Sequence, residues 1–300
     1  MTPSIEVERL TLRYDDVTAL DDLSFSLHGG KIYGLLGRNG SGKTSLLSVL
    51  AAFRKATAGQ ARVDGRAVFE NRAVTRQICL IREGADTVAQ DWPDNRVEDA
   101  LAFAAYLRPT WDAAYADTLL ERFGLSPRTR IPALSRGRRS ALAVLLGLAS
   151  RAPLTMFDEA YLGLDAPSRY AFYDELLADV MAHPRTIVVS THLIEEVSSL
   201  FEEVVILDQG RLVLHEQADL LRSRGAAVTG PAEAVDRFAD GLTVLGRRTL
   251  GPTASVMVYG AMDDADRQQA RHAGLDIGPL ALQDLFVHLT EPKEAADERI

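Results

Sequence analysis

"KIYGLLGRNGSGKT", Lys31 to Thr44, decides the fold. Its first half, Lys31 to Gly37, is nearly all apolar, as a parallel strand buried on both faces should be. A glycine-rich loop follows, and a helix is predicted over about Lys43 to Phe53. "GRNGSGKT", Gly37 to Thr44, fits G-x-x-x-x-G-K-[ST] in the context that pattern needs, a strand before it and a helix after it. Backbone N–H groups of Asn39 to Thr44 can curl round phosphate oxygens, with glycine where side chains would collide. Lys43 places a point charge on the β- and γ-phosphates, and Thr44 offers a hydroxyl to Mg²⁺. The candidate phosphate cradle is Gly37, Arg38, Asn39, Gly40, Ser41, Gly42, Lys43, Thr44 and Ser45.

Two later strand ends complete such a site. "LTMFDE", Leu154 to Glu159, is an apolar strand closed by two carboxylates. Asp158 can hold Mg²⁺ through its water shell, and Glu159 can take a proton from an attacking water. "STH", Ser190 to His192, ends the next apolar strand at the same sheet edge, where His192 can reach a γ-phosphate or organise the water. Alone, a paired carboxylate or a strand-end histidine is as well read as an exposed turn; the phosphate loop gives them their weight.

The rest of the chain supplies the frame. "IEVERLTLRY" and "DLSFSLHGG" alternate with period two and read as strands of a partly exposed sheet. "QARVDGRAV", Gln60 to Val68, reads as a hairpin around Asp64-Gly65, and "ICLIRE", Ile78 to Glu83, as a strand. Helices are predicted near Arg96–Leu107, with Asn95 as N-cap and Glu98 three residues on, and over Asp112–Phe123, Arg138–Ser150, Ser168–Met181 and Ile194–Phe201. "VVILDQGRLVLHE", Val204 to Glu216, turns at Gln209-Gly210. Strands alternating with helices make an α/β fold with a mostly parallel central sheet. After about Leu221 the order becomes strand-helix-strand-strand-helix-strand, that of a ferredoxin-like sandwich. A last amphipathic helix, "ALQDLFVHLT", closes it. The expected domains are 1–221 and 222–300.

Composition narrows the class. The 300 residues are 47% apolar with a net charge of −9, which counts against non-specific nucleic-acid binding. The single cysteine, Cys79, allows no internal disulfide and fits a reducing cytosol. "MTPSIEVERLTL" is acidic and alternating, unlike a signal peptide. The longest apolar run, Ala141 to Ala149, falls short of the ~20 residues a membrane-spanning helix needs.

Taken together, "GRNGSGKT", "LSRGRR", "LTMFDEAYLGLD" and "STH" resemble the motif set of the ATP-binding-cassette ATPases, over about residues 4–215. The resemblance implies ATP and Mg²⁺ as cofactors. It implies that Tyr14 stacks on adenine, although a tyrosine in an alternating strand is also ordinary packing. It implies that the helix after "LSRGRR" closes over the γ-phosphate held by a second ATPase subunit. Ser135 and Gly137 match that signature, while Arg136 and Arg138 replace its usual glycine and glutamine. A solvated basic turn is the plain alternative. "GLD", Gly163 to Asp165, matches a segment through which two subunits sense each other. Glu83 falls where the family has a glutamine that touches Mg²⁺, with Gln90 as the alternative register. "LRPTWDAAYADTLLERFGL", Leu107 to Leu125, resembles the helical subdomain of small bacterial exporter ATPases, with Trp111 read as core or as the border of a partner groove.

The expected protein is therefore the ATP-hydrolysing subunit of an exporter. It would work as a nucleotide-sandwich dimer on the cytoplasmic face of the membrane, with separate transmembrane permease subunits and no nucleic acid. A soluble cassette ATPase of translation or DNA repair is the alternative. Residues 222–300 read either as a dimer-stabilising appendage or as a ligand-binding regulator.

Overall fold

In the computed structural model, residues 2–82, 95–223, 225–260, 262 and 264–290 are described. Glu83 and Gln90 lie outside the described residues. Contacts divide the chain into two units, 1–192 with 199–215, and 193–198 with 216–300.

The first unit is organised by β3 (Ile32–Leu36), all five of whose residues are buried. It runs parallel to β8 (Thr186–Thr191) on one side and β9 (Glu203–Asp208) on the other. Beyond β8 lie β7 (Leu154–Asp158) and β6 (Ile78–Arg82), also parallel. With β10 (Arg211–Gln217) the order is β10-β9-β3-β8-β7-β6. Burial on both faces explains why these strands read as unbroken apolar runs. Their common direction brings the ends of β3, β7 and β8 to one edge, where ligands of open α/β sheets bind.

A second, antiparallel sheet joins β1 (Ile5–Tyr14), β2 (Val17–Leu27), β4 (Ala58–Val63) and β5 (Arg66–Ala67) in the order β2-β1-β4-β5. The β4–β5 hairpin turns at Asp64 and Gly65, both at positive φ, as the Asp-Gly pair predicts. Leu10, Leu20 and Leu23 of this sheet, Leu46 and Leu47 of α1 (Lys43–Leu50), and Met156, Val188 and Val205 of the parallel sheet form one core.

Helix ends show where local chemistry prevailed over expectation. After α2 (Arg72–Thr75), α3 (Val97–Leu107) starts one residue later than predicted. The Asp99 carboxylate, not Glu98, accepts the Arg96 N–H at 2.7 Å, and the Asn95 carbonyl accepts from Ile131 N–H at 2.8 Å. Asn95 is thus tied to the 131–133 turn and is not the cap. Asp112 caps α4 (Ala113–Arg122), accepting from Tyr115 N–H at 2.8 Å. It also pairs with Arg151 at 2.7 Å. Ser135 caps α5 (Arg136–Ala149), which therefore begins two residues before the predicted Arg138. Every residue from Ser140 to Ala149 is buried, so α5 passes through the interior. Asp165 caps α6 (Ala166–Ala182). The predicted helix Ile194–Phe201 is α7 (Ile194–Val197) followed by a 3₁₀ turn over Ser198–Leu200.

The second unit follows α8 (Ala218–Ser223) with β11 (Gly225–Pro231), α9 (Ala232–Ala239), β12 (Thr243–Leu250), β13 (Thr253–Tyr259), α10 (Asp264–His272), β14 (Asp276–Pro279) and α11 (Leu282–Leu289). The sheet order is β12-β13-β11-β14, with every pairing antiparallel. That is the ferredoxin-like order. Ala226 and Val228 of β11 and Ala254, Val256 and Val258 of β13 face Val235 of α9 and Ala270 of α10.

Candidate functional site

The loop after β3 is shaped by three glycines for two different reasons. A Cβ on Gly37 would stand 2.1 Å from Ser41 Oγ and 2.7 Å from the Leu207 carbonyl. One on Gly42 would stand 2.7 Å from the Ala19 carbonyl. Gly40 has open space round it but sits at φ +82°, a region L-residues disfavour. Collision thus accounts for Gly37, backbone conformation for Gly40, and both for Gly42, which sits at φ +103°. Gly42 is the N-cap of α1 and brings no side-chain cap, and the first turn carries no acidic residue. The first N–H groups of a helix have no intrahelical acceptor, so this end can hold an anion.

Lys43 is nearly fully buried. Its ammonium donates to the Gly37 carbonyl at 2.8 Å and the Arg38 carbonyl at 3.2 Å. Glu159 Oε1 lies 3.5 Å away. Arg38, Asn39, Gly40 and Thr44 are exposed, Ser45 half-buried and Ser41 buried. Ser41 closes the loop, its N–H on the Arg38 carbonyl and its carbonyl accepting from Gly210 N–H.

The structure brings Asp158, Glu159 and His192 together beside this loop. Asp158 ends β7 almost completely buried, and Ser190 Oγ donates to its Oδ1 at 2.6 Å. Glu159 turns out of the strand at φ +52°, a left-handed conformation uncommon for a non-glycine residue. Its Oε1 lies 3.2 Å from His192 Nδ1. One carboxylate oxygen is therefore shared by Lys43 and His192. With Nδ1 carrying the proton toward Glu159, Nε2 is left as an acceptor. The support of Asp158 by Ser190 leaves only a weak signal in the sequence, a hydroxyl near the C-terminal end of β8.

Thr44 and Asp158 supply a hydroxyl and a carboxylate. These hard oxygen donors fit Mg²⁺, which takes one or two carboxylates with substrate phosphates and keeps several waters. Such a site needs no dense ligand cluster, and among the described residues no group of three or more His, Cys, Asp and Glu could hold a metal.

Elsewhere in the unit, Ser135 Oγ accepts the Arg138 N–H at 3.3 Å, and Arg136 and Arg138 are exposed. A Cβ on Gly137 would meet the Gly163 carbonyl at 3.1 Å, and one on Gly163 would meet Ser140 Oγ at 2.2 Å. Both glycines thus seat the first turn of α5 against 163 within one chain, a packing role the motif did not reveal. Asp165 has its carboxyl held below the usual range by hydrogen bonds from Ser168. Tyr14 packs half-buried at the rim of the core, with the Arg54 guanidinium 5.5 Å from its ring centroid.

A parallel sheet whose first buried strand feeds a glycine cradle and a helix-borne lysine, with a carboxylate pair on a neighbouring strand, defines a P-loop nucleoside triphosphatase. The family model described as ABC transporter matches residues 20–162. The Nod factor export ATP-binding protein I of Ralstonia nicotianae is 30% identical over 261 residues, 84% of this chain and 78% of that protein. The doxorubicin resistance ATP-binding protein of Mycobacterium tuberculosis is 29% identical over 72% of this chain and 66% of its own. The solved ATP-binding subunit of an ABC transporter has the same fold, with a TM-score of 0.65 and 23% identity over 73% of this chain and 91% of that one. This chain belongs to the ABC transporter family, as an ATP-binding-cassette ATPase.

Proposed function

We propose that this chain hydrolyses Mg²⁺-bound ATP at the edge formed by β3, β7 and β8, as a dimer that drives export through separate membrane permeases. The observation that carries the reading is the shared oxygen of Glu159, held between Lys43 and His192. A γ-phosphate reaching Lys43 takes over its charge and releases Glu159 toward the attacking water. Water oxygen bonds to the γ-phosphorus, the bridging P–O bond breaks to leave ADP, and the water proton passes to Glu159. His192 fixes the carboxylate through Nδ1 and presents its other nitrogen, an acceptor, to the attacking water. Thr44 and, through water, Asp158 would hold Mg²⁺, which would neutralise charge on the phosphate oxygens.

Ser135, Arg136, Gly137 and Arg138 start a helix whose dipole favours an anion, and in this reading they meet the nucleotide of the second copy. Export is favoured by the relatives named for export and drug resistance. Among the described residues no helix is long and apolar enough to cross a membrane, so the permease is assigned to other chains, with this one on their cytoplasmic side. An apolar groove of about 210 Å³ between Phe53, Ile81, Phe103 and Leu107 is the surface assigned to them. On the same helix Tyr106 is 86% exposed.

The test is Glu159→Gln. With ATP and Mg²⁺, light scattering after gel filtration should show a dimer that the parent chain forms only transiently. A Glu159→Gln chain that stays monomeric at saturating nucleotide would defeat the sandwich.

A further inference from the structure

The end of β6 carries a contact that the reaction described above does not use. Arg82 Nη2 donates to Ser48 Oγ at 2.6 Å. Ser48, almost fully buried in α1, donates its own hydroxyl to the Thr44 carbonyl at 2.5 Å. The guanidinium carbon lies over the Phe53 ring, 5.2 Å from its centroid. Arg82 is thereby fixed from two sides. In the sheet it stands in register with Asp158 on β7, and Asp158 in register with Ser190 on β8.

We infer that Arg82 is a positioning residue for the metal site: through Ser48 it sets the orientation of Thr44 relative to Asp158. This rests on the reading of Thr44 and Asp158 as the Mg²⁺ donors. The Thr44 peptide opens the first turn of α1, where few helical bonds hold it. A serine hydroxyl bonding back four residues bends a helix and takes up one carbonyl. A cationic donor on that hydroxyl polarises it and strengthens its bond to Thr44. Both oxygen donors are thereby referred to one residue, Arg82: Thr44 through the side-chain hydrogen bond from Arg82 to Ser48, and Asp158 through backbone strand register. Lysine at 82 could still donate to Ser48 but lacks the planar guanidinium that Arg82 places over Phe53.

The test is a titration of the full chain with a fluorescent ATP analogue, with and without MgCl₂, for the parent, Arg82→Ala, Arg82→Lys and Ser48→Ala. Ser48→Ala guards against misfolding, because alanine favours a helix interior. Loss of a partner that orients a metal ligand should lower apparent Mg²⁺ affinity about tenfold in Arg82→Ala and Ser48→Ala, with metal-free nucleotide affinity changed by less than about twofold. The double variant should lose no more than either single one, and Arg82→Lys should recover most of the Mg²⁺ affinity. The inference is overturned by folded Arg82→Ala and Ser48→Ala chains that keep the parent's Mg²⁺ affinity. It is equally overturned if metal-free and Mg²⁺-supported binding fall together. A parent chain whose nucleotide binding ignores Mg²⁺ would instead defeat the underlying reading of Thr44 and Asp158.

Discussion

Glu159 Oε1 lies 3.5 Å from Lys43 Nζ, so the anionic side chain of one strand end neutralises the cation of the phosphate loop. The pair is largely withdrawn from water, with Lys43 buried and Glu159 mostly so. Breaking it without a replacement leaves an unmatched buried charge. Glu159→Gln should therefore keep or tighten ATP binding while lowering turnover by roughly 10²–10⁴-fold, the usual worth of a general base. Lys43→Ala should instead abolish nucleotide binding. Equilibrium binding and single-turnover hydrolysis separate the two, and a Glu159→Gln chain that lost ATP affinity in step with rate would count against the assigned base.

Gly37 and Gly40 should fail differently. Alanine at 37 collides with Ser41 Oγ and a backbone carbonyl, so it must displace the loop and cost about 1–3 kcal/mol as overpacking does. Alanine at 40 meets nothing but must hold a positive φ, a cost of about 1–2 kcal/mol. Urea melts should show both losses. Nucleotide affinity should collapse for Gly37→Ala and fall far less for Gly40→Ala, and equal affinities would contradict the distinction.

What the sequence disclosed and what it withheld divide along physical lines. The parallel strands were legible because burial on both faces writes itself as runs such as "LTMFD" and "TIVVST". The hairpin at Asp64-Gly65 was legible because only certain residues tolerate those dihedrals. The α3 cap was misplaced because Glu98 and Asp99 are chemically alike, and tertiary pairing of Asn95 with Ile131 decided between them. Contacts between distant segments left no local pattern. The bond from Ser190 to Asp158, the seating of Gly137 on Gly163 and the Arg82–Ser48 contact all join residues 26 or more apart. The positive φ of Glu159 likewise follows from where β7 ends, not from its own side chain.

Arg138 has opposite effects on stability and on association. A cation in the first turn of a helix is unfavourable by about 0.3–1 kcal/mol, and Arg138 is exposed there. Arg138→Gln should therefore raise the melting temperature of the nucleotide-free chain slightly. If the helix meets phosphate from a second copy, the same change should weaken ATP-driven dimerisation and flatten its salt dependence. Higher stability with undiminished dimerisation would leave the arginine as a solvated turn.

Glu203 makes the first unit sensitive to acid. Burial pushes its carboxyl up, but hydrogen bonds from Lys31, 2.5 Å away, and His215, 2.8 Å away, outweigh burial and hold it below the ordinary value of 4.5. A carboxyl lowered in the folded state adds stability that is fully present above its unfolded value and lost as pH falls through the folded one. Lys31→Met should remove about 2 kcal/mol near pH 7, the worth of a hydrogen bond to a charged group. The deficit should shrink below the ordinary glutamate range, where the parent loses the same term. A deficit independent of pH from 7 to 3 would place the effect in packing instead.

The groove bordered by Phe53, Phe103 and Leu107 lets the proposed docking be separated from catalysis. All three rings or chains remain substantially exposed, yet none belongs to the phosphate loop or the strand ends that hold Asp158 and Glu159. Exposed apolar area of this kind is unfavourable unless a partner covers it. Leu107→Asp should leave basal ATP turnover of the purified chain within about twofold, since surface changes away from buried features rarely exceed 0.5 kcal/mol. It should abolish recovery of an integral membrane protein with the tagged chain from detergent-solubilised membranes, since one charge desolvated in an apolar contact costs several kcal/mol. Recovery of the same membrane protein by Leu107→Asp as by the parent would move the permease surface elsewhere on the chain.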